Sequence, residues 1–90
     1  MQIEFDPAKQ QNTLRARGLD FARAAEVFAG SHLTRQDERQ AYTETRYQTV
    51  GWLDGRLVMT VWTPRGAARP IISMRKINER ETQAIGARLD

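Results

Sequence analysis

Tyr47 to Trp62, YQTVGWLDGRLVMTVW, decides the fold. Tyr47 to Leu53 is rich in β-formers, and Asp54-Gly55 is a strong two-residue hairpin signal that leads into Leu57 to Thr63. Both alternating faces of Leu57 to Trp62 are largely apolar, so this segment is expected at the centre of a sheet, covered on both sides. Pro64-Arg65-Gly66 makes the next turn, and Arg69 to Ile77 returns as a further strand. Pro70 cannot donate to a ladder and belongs at the strand's start or on an edge.

Outward from this core the period changes. Ile3 to Phe5 is a short strand, after which Asp6 caps a helix that runs from Pro7 to Arg17 and stops at Gly18. Asp20 caps a second helix, in which Phe21, Ala24, Ala25 and Phe28 form an apolar stripe, and Gly30 ends it. Leu33 to Arg35 is a weak strand, and Arg39 to Arg46 is polar. Asn78 and Glu81 have capping-box spacing before a final helix over Glu79 to Leu89, weakened by Gly86. The expected class is α+β, with an N-terminal helical hairpin packed on an antiparallel β-sheet meander and a short C-terminal helix.

At 90 residues the chain is one domain, 1–90, that buries roughly 60 to 65% of its unfolded surface. Without cysteine, disulfides and cysteine-based zinc sites are excluded. Neither an apolar signal region nor a run of about 18 apolar residues occurs, so a cytoplasmic location without membrane association is expected. One histidine and scattered acids offer no metal-ligand spacing, and there is no phosphate-loop or dinucleotide fingerprint. No metal or cofactor is expected.

The formal charge of +3 is unevenly spread. Between Asp54 and Glu79 there is no acid, whereas Arg56, Arg65, Arg69, Arg75 and Lys76 lie there. That makes a candidate phosphate-binding surface. Twelve of the fourteen basic residues are arginine, whose planar fork suits phosphate, although a GC-rich genome would produce the same bias. Strict alternation along the last strand puts Arg69, Ile71, Ser73 and Arg75 on one face, and Pro70, Ile72, Met74 and Lys76 on the other. Arg46, Arg39 and Tyr42 come from the preceding segment, in a register that sequence does not reveal.

Arginines and tyrosine on an open sheet face suit a single-stranded polyanion. RNA cleavage needs little more, because the attacking group is the substrate's own 2′-hydroxyl. Arginine is a poor base, so proton transfer would fall to Lys9, Lys76, Tyr42, Tyr47, Glu81 or His32. Each has a plainer explanation: Glu81 as a helix cap, Lys9 and His32 as solvated side chains. Trp52 and Trp62 read as core. Arg75 is either a working site or an ion-pair partner.

FDPAK, RGLDFARAAEVF, DERQAYTETRYQTVG, DGRLVMTVWTPRG and IISMRKINERE, in this order from Ile3 to Glu81, resemble the BrnT family of toxins from type II toxin–antitoxin systems. The resemblance implies a RelE-like ribonuclease fold, metal-independent RNA cleavage that blocks translation, and a cognate BrnA antitoxin. It further implies a heterotetramer of two toxins and two antitoxins that binds operator DNA only through the antitoxin. Lys9, Arg39, Tyr42, Arg46, Ser73, Arg75, Lys76 and Glu81 match the family's recurring positions.

Where the family commonly has Asn and then Lys-His-Gly at the end of the first helix, this chain has Thr13, Ala16, Arg17 and Gly18. A proton-transfer role of that histidine would be absent here, whereas the positive charge is kept. The expected function is a toxin ribonuclease in which Arg75, Arg46 and Arg39 hold the scissile phosphate, Lys9 or Lys76 assists, and Tyr42 or Glu81 moves a proton. Arg69, Arg65, Arg17 and Ser73 complete the nucleic-acid contacts. The alternative is a catalytically weak RNA-binding or antitoxin-binding module.

Overall fold

In a computed structural model of the chain, which describes residues 2–86 and 88–89, five strands form one sheet and helices lie on both of its sides. The order along the chain is β1 (Gln2–Glu4), α1 (Pro7–Arg17), a 3₁₀ turn (Phe21–Arg23), α2 (Ala24–Ala29), β2 (His32–Gln36), β3 (Tyr47–Leu53), β4 (Arg56–Trp62), β5 (Ala68–Lys76) and α3 (Glu79–Gly86). The sheet order is β1-β5-β4-β3-β2. Strands β2 to β5 are the expected antiparallel meander, with β4 central.

The β3–β4 hairpin turns as its sequence requires. Asp54 at φ 52° and Gly55 at φ 74° are both left-handed, as a two-residue type I′ turn demands. The expected short N-terminal strand is present as β1, and what the sequence does not reveal is its pairing, parallel to β5 with Ile3 opposite Arg69. Parallel neighbours need a long crossover, and here α1 through β4 supply it. Pro70 lies near the start of β5 but not on an edge: it stands opposite Glu4 in this pairing, and on the β4 side its carbonyl accepts from the Thr63 N–H at 3.2 Å.

Helix α1 begins with Asp6 accepting from the Ala8 N–H at 2.8 Å and ends at Gly18, φ 68°, whose N–H reaches the Leu14 carbonyl at 2.9 Å. It buries no side chain fully and packs against β5 and the 3₁₀ turn. The second helical segment differs from expectation in phase. Its first turn is 3₁₀, in which residues three apart eclipse, so Phe21, Ala24, Val27 and Phe28 face the core while Ala25 is exposed.

Two apolar clusters flank the sheet. Phe21, Ala24, Val27 and Phe28 join Leu53, Val58, Trp62, Ile71 and Met74 on the side of α1 and α2. On the other side, Val50, Leu57, Met59, Ile77 and Leu89 meet α3 through Ile85. Both tryptophans serve packing, and Trp62 also donates its indole N–H to Thr49 Oγ1 at 2.8 Å. The expected final helix reached Leu89; α3 ends at Gly86, and residue 87 lies outside the described residues.

Helix α2 packs against β3 at Gly51. A Cβ there would lie 2.9 Å from Val27 Cγ1, 3.1 Å from His32 Cβ and 3.2 Å from the Ser31 carbonyl oxygen. Gly51→Ala is therefore expected to destabilise the fold by about 1–3 kcal/mol, as overpacked cores do. Urea denaturation checks this; stability at or above wild type would show that α2 does not rest on Gly51.

Candidate functional site

An extra residue in β5 determines which side chains meet. Val61 pairs with Ser73 and Trp62 with Ile71, so Ile72 bulges opposite the Val61–Trp62 step. Cross-strand partners share a face, which puts Ile71 and Met74 together in the α2-side cluster. Ser73 and Arg75 face α3, with Val61 and Met59. This corrects the face assignment drawn from strict alternation: Arg69 and Arg75 do not share a face. The Arg69 guanidinium lies on the α2 side, 4.6 Å from the ring centroids of both Phe28 and Trp62. Lys76 pairs with Val58 on that same side, opposite Arg75.

On the α3 side the register builds a polar floor. Arg35, Gln48, Val61 and Ser73 form one row across β2 to β5, and Leu33, Val50, Met59 and Arg75 form the next. Gln48 is buried and accepts from Arg35 Nε at 2.8 Å. Arg46 precedes β3 in the same alternation as Gln48; its guanidinium lies 4.1 Å from the Tyr42 ring centroid, and its Nε is buried without a partner among the described residues. An orphaned buried donor is costly, and here it lies at the edge of the floor.

Arg75 is held by the start of α3. Its two terminal nitrogens donate to the two carboxylate oxygens of Glu81, each at 3.1 Å. Glu81 also closes a reciprocal capping box, accepting from the Asn78 N–H at 3.1 Å while its own N–H donates to Asn78 Oδ1 at 2.8 Å. The Arg75 guanidinium first, then the Asn78 N–H, hold the Glu81 carboxyl below its usual range against the opposing effect of burial, and Arg35 adds a smaller push in the same direction. At neutral pH Glu81 is thus an anion that aims a cation at the floor.

The β2–β3 loop is organised around Asp37, whose side chain is 0% exposed. Arg39 Nε and Nη2 donate to its two oxygens at 2.8 and 2.7 Å, the Arg39 N–H adds a contact at 3.3 Å, and the Tyr42 hydroxyl donates at 3.2 Å. Asp37, Arg35 and Gln48 were missed by sequence reasoning. A glutamine inside the apolar run of β3 was the available signal, since a buried amide needs a partner. Arg65 pairs with Glu44 of the same loop at 3.5 Å.

The remaining candidates lie elsewhere. Lys9 is exposed in α1, whose next residue, Gln10, donates to Asp20 Oδ1 at 2.8 Å. Arg17 Nη1 donates to the Met74 carbonyl at 2.8 Å. His32 is exposed, with Nδ1 at 2.7 Å from the Gly30 carbonyl. The structure thus brings Ser73, Arg75, Glu81, Arg35, Gln48 and Arg46 to one floor, with Arg39 and Tyr42 in the adjoining loop. Lys9, Arg17, Arg69 and Lys76 are not part of it. Among the described residues, no group of three or more His, Cys, Asp or Glu is arranged to hold a metal, and no helix is long and apolar enough to cross a membrane.

Fold and floor define a small basic α+β protein with guanidinium groups gathered on one open sheet face, an arrangement that favours phosphate oxygens. The family model for "Ribonuclease toxin, BrnT, of type II toxin-antitoxin system" matches residues 5–81. The chain belongs to this family. The family indicates a ribonuclease toxin, and with it an RNA substrate and an antitoxin partner. No curated protein matches the chain.

The loop carboxylate has a definite acid response. Arg39 foremost, with help from its own N–H and Tyr42 and against the effect of burial, holds Asp37 down to about 2 from an ordinary 3.8. A depressed carboxylate stabilises the fold fully above its unfolded value and loses that contribution as pH falls through the folded one. The loop is therefore expected to loosen between about pH 4 and pH 2. A carboxyl NMR titration should place Asp37 near the lower figure; a midpoint in the ordinary range would show that Arg39 does not hold it.

Proposed function

We infer that this chain is a metal-independent endoribonuclease whose reaction takes place on the α3-side floor. The observation that carries this reading is the orientation of Arg75: register places it on the floor, and Glu81 fixes its guanidinium through two hydrogen bonds of 3.1 Å. A cation fixed in advance stabilises charge developing on a phosphate without reorganising at the moment of reaction. In the reaction, the 2′-oxygen of the substrate bonds to the adjacent phosphorus and the bond from phosphorus to the 5′-oxygen breaks. The proton leaving the 2′-hydroxyl is balanced by one delivered to the 5′-oxygen.

Arg75 and Arg46 bind the phosphate oxygens in this reading, and Arg35 extends the cationic row towards β2. Ser73 lies one alternation from Arg75 and supplies a hydroxyl to the same floor. Glu81 positions Arg75, since its oxygens are occupied by Arg75 and by the Asn78 N–H. Tyr42 remains the proton donor to test, beside the Arg46 cation. Arg39 reaches the phosphate only by leaving Asp37. Arg17 stands where the family usually has histidine and bonds a strand carbonyl outside the floor, which supports activity in spite of the exchange.

The wider reading follows the family: a RelE-like toxin that acts in the cytoplasm and inhibits translation. It is neutralised by a BrnA-like antitoxin in a complex of two copies of each, which contacts operator DNA through the antitoxin. The paired state of Arg75 and Arg39 favours one competing reading, a catalytically weak RNA-binding or antitoxin-binding module in which these charges are structural.

Arg75→Ala separates the two. The pair it removes is partly exposed, with Arg75 at 44% and Glu81 at 31%, so stability should change by only about 0–1 kcal/mol. RNA cleavage in the presence of a chelator should fall by about 10²- to 10³-fold, as when one preorganised charge-stabilising donor is lost. Growth arrest without antitoxin should be relieved at equal protein level. Undiminished cleavage by soluble Arg75→Ala would remove its role, and a wild type that neither cuts RNA nor arrests growth would favour the binding module.

A further inference from the structure

Beside the floor, where α3 crosses β2 and β3, there is a cavity of about 200 Å³. Leu33, Val50 and Ile85 supply apolar walls, and Thr34, Arg35, Gln48 and Arg88 are its polar lining residues. A volume of this order is below the usual range for drug-sized ligands, roughly 300–1,000 Å³, and is on the scale of a single planar heterocycle. Resting on the ribonuclease reading above, we propose that this cavity is a nucleobase subsite selective for guanine, adjoining the scissile phosphate.

Three observations converge on that occupant. First, the Thr34 hydroxyl is engaged with Thr49 Oγ1 at 2.8 Å, and the polar side-chain groups left to the cavity are donors. Gln48 Oε1 is already occupied by Arg35 Nε at 2.8 Å, which leaves the Gln48 amide N–H groups and the terminal N–H groups of Arg35 without partners among the described residues. A donor fork recognises paired acceptors, and N7 with O6 of guanine is the base edge that presents them side by side. Adenine offers a donor at the corresponding position and leaves one N–H group unpaired.

Second, the fork is fixed in advance. Gln48 is buried at 4% exposure between Val61 and Arg35 in the sheet register, so Arg35 is held by a neighbour that cannot swing away. Third, the cavity is continuous with the floor. Arg35 belongs to the row that ends at Ser73, and its charge is felt at Glu81, the partner of Arg75. A strand with a phosphate at Arg75 can therefore run towards β2 and place a neighbouring base on the apolar wall.

The test leaves the protein intact and changes the substrate. Oligonucleotides with each base at each position around the cut should show a preference for guanine at one position. 7-Deazaguanine there, which lacks the N7 acceptor, should lower kcat/KM about tenfold. Arg35→Lys and Gln48→Met should flatten the preference, and Ile85→Trp, which fills the cavity, should abolish it with antitoxin affinity unchanged. Arg75-dependent cleavage with no base preference overturns the subsite alone, whereas no cleavage of any RNA overturns the ribonuclease reading with it. If Ile85→Trp leaves the cleavage pattern intact and weakens antitoxin binding, the cavity belongs to the protein partner and the proposal fails.

Discussion

The bulge at Ile72 is the constraint on which both core and site depend. A side-chain period of two would send Ile71 and Met74 to opposite faces, yet each is buried in the α2-side cluster. Burying side chains of this size contributes about 1.5–3 kcal/mol apiece, so the one extra residue is readily stabilised by what it allows to pack. The same residue turns Ser73 and Arg75 towards α3 while Arg69 stays with Phe28 and Trp62. Core and floor are thus two results of a single register shift.

The second coupling runs through α3. A helix of eight residues is too short to be stable alone, and it forms here because Asn78 and Glu81 cap it and Ile85 packs on the sheet. Glu81, the residue that completes the cap, also fixes Arg75. Helix formation and orientation of the charge therefore occur together. On the far side of the floor, Asp37 does for the loop what Glu81 does for the strand end, collecting Arg39 and Tyr42 around one buried carboxylate. Strands carry the groups, and two carboxylates position the side chains at their ends.

Local signals made much of the fold legible. The Asp54-Gly55 turn, the apolar run of β4, the Asp6 and Gly18 ends of α1 and the capping box of α3 each depend on residues close in sequence. What escaped depends on distant partners. The bulge is set by what Ile71 and Met74 must meet across the sheet, and Arg35 gains meaning only when register brings it to Gln48. The 3₁₀ phase that buries Val27 in place of Ala25 follows from docking on Gly51. Parallel pairing of β1 likewise has no signature within three residues. Arg75 and Glu81 were legible as candidates, whereas the floor connecting them to β2 was not.

Arginine abundance alone says little about function, because several of these side chains have structural tasks. Arg23 clamps Asp54 and Glu26, Arg39 holds Asp37, Arg65 meets Glu44, Arg17 bonds the Met74 carbonyl, and Arg69 lies over two rings. Removing these from the count leaves Arg35, Arg46 and Arg75 on the α3 side of the sheet, with Arg88 beside Arg35 at the cavity. Arg75 is itself paired, and magnitude decides whether that pairing blocks it. An exposed ion pair contributes about 0–1 kcal/mol, which is small beside the roughly 1.5–3 kcal/mol of a hydrogen bond to a charged group. A phosphate can add to or displace Glu81 at low cost, while the pairing keeps the guanidinium ordered until it arrives. The resting salt bridge is thus compatible with the proposed site, and its geometry favours Arg75 in that reading over the more exposed Arg39, which must leave a fully buried carboxylate to act.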